Sequence, residues 1–187
     1  MLSFLKGKKS ENQCLGIALY PHGISFALVN RNDGQLNLES IAFKSSDKVE
    51  DLSLLFKQLV SENGLKGKSA VLVMHPQHYS VVQIEAPEVA PEELKNAVRW
   101  RIKDLIDFHI DDAEIDLLPL PQGKRAGSPK LMYAVAAKTS YIQSLAEVTQ
   151  EAGLEIKAID ITELALRNMT YADAEENRAS ALLYLSE

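Results

Sequence analysis

The chain has 187 residues, 46% of them hydrophobic and 25% charged, with a net charge of −6 from 20 Lys+Arg against 26 Asp+Glu. That length can bury roughly 70% of its unfolded surface, and its Leu, Ile and Val content excludes a disordered chain. No window approaches ~20 uninterrupted apolar residues, the lone Cys14 excludes a disulfide framework, and the mild acidity argues against broad nucleic-acid binding.

Residues 1–10, Met-Leu-Ser-Phe-Leu-Lys-Gly-Lys-Lys-Ser, put three apolar side chains ahead of three lysines. A secretory signal has the reverse order, and Leu2 stands where myristoylation needs glycine. The segment reads as a flexible basic tail over residues 1–12. A peripheral membrane contact, with Leu2, Phe4 and Leu5 in the interface and Lys6, Lys8 and Lys9 on anionic headgroups, is the alternative.

Strands come first. Cys14–Leu19 and Ile24–Asn30 are β-rich around the turn Tyr20-Pro21-His22-Gly23, and Asn32-Asp33-Gly34 predicts a hairpin into Leu36–Phe43. The alternation of Leu36 and Leu38 followed by Ile41 and Phe43 slips by one residue, which predicts a bulge. Val49–Ser61 has the helical period and stops near Asn63-Gly64, and Ala70–Met74 reads as a strand buried on both faces. This gives β-β-β-α-β, a meander with a crossover helix into a parallel strand. A strand over Ser80–Ile84 follows. Pro91 then suits the first turn of a helix running to about Ile106. Strands near Ile115–Leu118 and Leu131–Ala137 flank a Pro/Gly/basic loop. A helix over Thr139–Ala152 stops at Gly153, and Ile156–Ile159, Glu163–Met169 and Ala181–Leu185 read as strand, helix and strand.

Chemistry-bearing patterns are sparse. His75 and His78 bracket a proline with no third ligand, and the acidic run Asp107, Asp111, Asp112, Glu114, Asp116 lacks the spacing of a calcium loop. Lys124 and Arg125 are too small a patch for nucleic acid, and no nucleophile elbow is present. Neither a catalytic residue nor a metal site is assigned. The helix after Pro91 carries the one positional signal. Leu94, Ala97, Val98, Ile102 and Leu105 share a face, Arg101 falls near its middle, and Trp100 falls off it beside Asn96 and Lys103. An exposed Trp next to an Arg is a typical partner anchor, although a covering loop and a pairing carboxylate would explain both residues equally well.

Ser-Ala-Val-Leu-Val-Met-His-Pro (69–76), Glu-Glu-Leu-Lys-Asn-Ala-Val-Arg-Trp (92–100), Phe-His-Ile-Asp-Asp-Ala-Glu-Ile-Asp (108–116), Ala-Val-Ala-Ala-Lys (134–138) and Ala-Gly-Leu-Glu-Ile-Lys-Ala-Ile-Asp-Ile (152–161) resemble the PilM family of type IV pilus proteins. Within that family the closest similarity is to the branch serving mannose-sensitive haemagglutinin (MSHA) pili. The resemblance spans about residues 12–187. It implies an α/β, actin-like (ribonuclease H-like) fold related to FtsA, with subdomain 1A over 13–84 and 156–180. A small α+β subdomain 1C would be inserted over 85–155, and 181–187 would open a second half that is otherwise missing.

The family pattern at the first strand is roughly Gly-Ile-Asp-Ile-Gly-Ser. The matching stretch here is Gly16-Ile17-Ala18-Leu19-Tyr20-Pro21, so Ala18 replaces the metal carboxylate and Tyr20 the close-approach glycine, while Pro21 has no amide hydrogen. Ala18, Tyr20, Pro21 and Gly23 therefore read as a degenerate phosphate loop, and ATP and Mg²⁺ are not expected as cofactors. Arg101 stands where the family usually has an acid, and Asp107 where a proline before Phe108 is common. Trp100, Arg101, Asp107 and Phe108 are the candidate partner-binding residues. The resemblance implies a non-enzymatic scaffold at the cytoplasmic face of the inner membrane. It would bind the N-terminal cytoplasmic peptide of a PilN-like membrane protein and other platform or motor components. The alternatives are an actin-like ATPase or polymer former, and a GspL-like type II secretion component.

Overall fold

The computed structural model describes residues 13–32, 35–45, 52–121, 129–172 and 181–184. The expected basic tail, the hairpin tip at Asp33-Gly34, and Lys124 with Arg125 lie outside the described residues. The elements run β1 (Gln13–Tyr20), β2 (Gly23–Asn32), β3 (Gln35–Ser45), α1 (Leu52–Glu62), β4 (Ser69–Met74), β5 (Tyr79–Glu85), α2 (Leu94–Ile102), β6 (Ala113–Pro119), β7 (Leu131–Lys138), α3 (Thr139–Glu151), β8 (Glu155–Ile161) and α4 (Thr162–Ala172). Two compact units result, one of residues 1–73 with 148–160 and the other of 74–147 with 161–187.

The first unit is built on a five-stranded sheet of order β3-β2-β1-β4-β8. Residues 13–20 and 23–30 pair antiparallel, with Pro21 and His22 as the two-residue turn between Tyr20 and Gly23. β4 lies parallel to β1, as a crossover through α1 requires. Period-two alternation sends Leu15, Ile17, Ile24, Phe26 and Leu72 to one face, where they are buried with Phe56 and Leu59 of α1. The predicted bulge is present. Leu28 pairs with Ser40 but Val29 with Leu38, so Glu39 is the extra residue. Its carboxylate accepts from Gln13 Nε2 at 2.9 Å and Asn30 Nδ2 at 3.0 Å. β4 is not buried equally on both sides: Ala70, Leu72 and Met74 are buried, while Val71 and Val73 are half-buried. α3 ends where Gly153 takes φ +85°, a conformation that costs glycine least.

In the second unit α2 covers one face of an antiparallel sheet of order β5-β7-β6. Val98 and Ile102 of α2 pack with Ile110, Ala113, Ile115, Met132, Ala134 and Ala136. α2 is shorter than its periodicity predicts: it starts only after Glu93, which makes no side-chain cap hydrogen bond, and Pro91 stands in the preceding turn, its carbonyl accepting from the Leu94 amide at 3.3 Å. At the other end Arg99 donates to the carbonyls of Ile110 and Ala113. The chain must turn after Ile102 to bring those carbonyls alongside the helix. Residues 181–184 carry no strand, so the apolar run there is not a ladder element within the described part.

The Tyr79 side chain links β5 to α4. Its hydroxyl donates to Glu163 Oε2 at 2.6 Å and accepts from the Thr162 amide at 3.1 Å. Burial, and then donation to the carboxylate, push the phenol up to about 12. Tyr79→Phe would strand the Thr162 amide and remove a charge-assisted bond. The expected loss is about 1.5 kcal/mol in urea unfolding, and an unchanged midpoint would show that the bond contributes nothing.

Candidate functional site

The described residues of the second unit form a pocket of about 320 Å³, lined by Pro76, Gln77, His78, Tyr79, Ser80, Asp107, Phe108, Lys138 and Tyr141. Four short segments supply it. Pro76–His78 form a single 3₁₀ turn between β4 and β5, with His75 Nδ1 accepting from the Gln77 amide at its start. Asp107 and Phe108 sit on the connection after α2 that Arg99 holds in place. Lys138 ends β7 and Tyr141 lies in the first turn of α3.

Two aromatic walls define its character. The His78 imidazole stacks on Tyr141 with ring centroids 4.0 Å apart. Lys138 Nζ lies 5.8 Å from the centre of the Phe108 ring, in cation–π range. One cation and one anion (Asp107) thus flank apolar ring faces, an arrangement suited to a short peptide with an apolar side chain between polar groups. Tyr141 is pushed up to about 12 by burial and stays neutral.

His78 is held below its ordinary 6.5, first by burial and then by the proximity of His75. Above pH 6.5 the folded and unfolded chains both leave it neutral. Below 6.5 the unfolded chain binds a proton that the folded chain refuses, so stability falls as pH drops through that window. His78→Gln is expected to flatten the decline in thermal midpoint between pH 7.5 and 5.5. An identical decline in both proteins would remove His78 as a cause.

Of the four expected partner-binding residues, the pocket brings together Asp107 and Phe108 and excludes Trp100 and Arg101. Trp100 is 67% exposed, lying about 180° around the helix from the midpoint of the buried Val98 and Ile102. The expectation that Arg101 falls within the apolar face is corrected. With α2 ending at Ile102, Leu105 is exposed and the buried stripe narrows to Val98 and Ile102. Arg101 is exposed and its Nη1 donates to the Glu85 carbonyl at 3.1 Å.

The β1–β2 hairpin sits in the first unit. Tyr20 packs edge-on to Phe43 with centroids 6.0 Å apart, and Ala18 pairs with Ser25 and Val73 on the neighbouring strands. Gly23 is required by its own sheet: a Cβ there would stand 2.2 Å from the Lys44 carbonyl oxygen.

A sequence profile of the family described as type IV pilus assembly protein PilM matches residues 23–181. The chain belongs to the PilM family. No curated protein matches the sequence. Among solved structures, a PilM–PilN type IV pilus biogenesis complex is similar at TM-score 0.72 and 20% identity, over 86% of this chain and 50% of that one. The cytoplasmic domain of EpsL, an inner-membrane component of the Vibrio cholerae type II secretion system, is similar at 0.60 and 13%, over 79% and 57%. A Bacteroides thetaiotaomicron protein with an actin-like ATPase fold and unknown function is similar at 0.53 and 13%, over 91% and 60%. This chain thus spans about half the length of the PilM-family structure it matches, and it has the actin-like fold that the sequence implied. No helix among the described residues is long and apolar enough to cross a membrane.

The sequence reading missed His78, Lys138 and Tyr141 as neighbours of Phe108. His78 and Tyr141 are 63 positions apart, and no local pattern links a turn to a helix start at that distance.

Proposed function

We propose that this PilM-family chain is a non-enzymatic scaffold of a pilus assembly platform of MSHA type, MshI-like within the family. It works at the cytoplasmic face of the inner membrane, where it docks the N-terminal peptide of a PilN-like membrane protein. The observation that carries this reading is the Phe108 pocket, with its two aromatic walls and opposed Lys138 and Asp107. The similarity to a PilM–PilN complex supports the class of partner.

The hairpin residues do not fit a magnesium nucleotide. Ala18 offers no side-chain carboxylate to a metal, Tyr20 carries a ring engaged with Phe43, Pro21 has no amide hydrogen, and Gly23 is spent on close approach to Lys44. The similarity to EpsL favours a second reading, a GspL-like component of a secretion platform. Calorimetric titration with the two candidate peptides separates these readings. Saturable binding of the PilN-like peptide alone supports the first, and binding of the GspL-partner peptide alone overturns it. Trp100 is the single tryptophan, so a blue shift of its emission on titration would report that the partner also covers α2. Saturable heat from Mg-ATP would overturn the scaffold reading.

A further inference from the structure

We propose that the outer edge of β3 is a two-fold interface through which two copies of this chain pair, a property independent of peptide docking. β3 is the end strand of its sheet, so one side of its backbone has no ladder partner among the described residues. Leu36, Leu38, Ile41 and Phe43 are 59–66% exposed, although they are large apolar residues on a strand of 11. A solvent-facing strand normally carries polar side chains there, and natural edges are blunted to prevent pairing.

The bulge decides which partner fits. In a regular strand residues 38 and 41 would face opposite sides, but the extra Glu39 returns Ile41 and Phe43 to the face of Leu36 and Leu38. The register confirms this. Leu38 stands beside Val29, Ile41 beside Ala27 and Phe43 beside Ser25, all on the face opposite the buried Phe26 and Leu28. The apolar quartet is therefore palindromic about the midpoint of residues 39 and 40. An antiparallel copy with its two-fold axis there sets Leu36 against Phe43 and Leu38 against Ile41, twice over. The two bulges stand opposite each other, so the ladder needs no further irregularity. An isologous contact requires such self-complementarity, and a strand of an unrelated partner has no reason to share it.

Charge does not oppose the pairing on that face. Lys44 lies on the other face, bonded to Glu62 at 2.6 Å and Gln58 at 3.3 Å. Glu39 falls opposite Ser40 of the copy, its oxygens already engaged by Gln13 and Asn30. The patch offers roughly 400–600 Å² per copy, the size of the largest patch on a typical monomer. Two copies bury roughly 1,000 Å², the low end for specific interfaces, and the two Glu39 carboxylates near the axis weaken the contact further. A dissociation constant in the micromolar range follows.

Sedimentation velocity of the 187-residue chain from about 1 to about 300 µM, bracketing a micromolar constant, should show mass rising from one chain to two. Ile41→Lys, at an exposed position that leaves folding intact by circular dichroism, should hold it at one chain. In a Cys14→Ser background, Leu38→Cys with Ile41→Cys should oxidise to a covalent dimer, since the register places these positions opposite each other. Leu36→Cys with Ile41→Cys, out of register, should not. A chain monomeric at every concentration, as it would be if a different segment or partner covers this face, overturns the proposal. So does a dimer that Ile41→Lys leaves intact, or equal cross-linking of both cysteine pairs.

Discussion

Gly23→Ala is expected to destabilise the protein by about 3 kcal/mol, at the upper end of what an added methyl costs in a packed site. The new Cβ would stand 2.2 Å from the Lys44 carbonyl oxygen and 2.9 Å from the Phe43 ring. The ring can turn, but the carbonyl belongs to the backbone of β3 and is fixed by its pairing with β2. Relief therefore requires β3 to move outward, loosening the ladder next to the turn. Gly16→Ala is the control, since a Cβ there meets nothing within 4 Å. Its expected effect is neutral to slightly stabilising, because alanine loses less backbone entropy on folding. Urea unfolding of the two variants distinguishes two reasons for a glycine at position 23. A glycine retained for phosphate approach would tolerate alanine in the fold and fail only with ligand. Equal midpoints for both variants would remove the packing explanation.

The meander was legible because its signals are local. β-rich composition gave β1 and β2, turn composition placed Pro21 and His22, and the slip between Leu38 and Ile41 announced the bulge that Glu39 occupies. The parallel pairing of β4 followed from an apolar strand after a crossover helix. The extent of α2 was not legible. Periodicity carried the helix to Ile106, whereas its end is set by Arg99 reaching carbonyls 11 and 14 residues away, a tertiary cause. The same cause misplaced Arg101, since the expected stripe included Leu105. Residues 181–184 misled because a run of apolar side chains states a preference, and a strand also needs a ladder partner. Two of the four expected partner-binding residues fall in one place. Phe108 and Asp107 line the pocket while Trp100 faces away on α2. Helical position singled out Trp100 and Arg101 and the resemblance added Asp107 and Phe108, but only the fold could separate them.

Phe108→Ala is expected to weaken docking of the PilN-like peptide at least 30-fold, the loss that follows from removing an aromatic anchor worth about 2 kcal/mol. The ring forms one wall of the pocket and is the surface over which Lys138 Nζ sits. Its removal takes away apolar contact and frees the lysine to swing out of position. Phe108 also packs against the core of its unit, so lost binding could reflect lost folding, and two measurements separate these. The urea midpoint of Phe108→Ala reports the fold directly. Lys138→Met keeps the bulk of the stem and removes only the charge, which should weaken docking several-fold and flatten its dependence on salt. Tyr141→Ala should fall between the two, since it leaves the Phe108 wall intact and releases only the ring stacked on His78. Full affinity in a folded Phe108→Ala protein would move the docking surface elsewhere, and the exposed Trp100 face of α2 would be the next place to test.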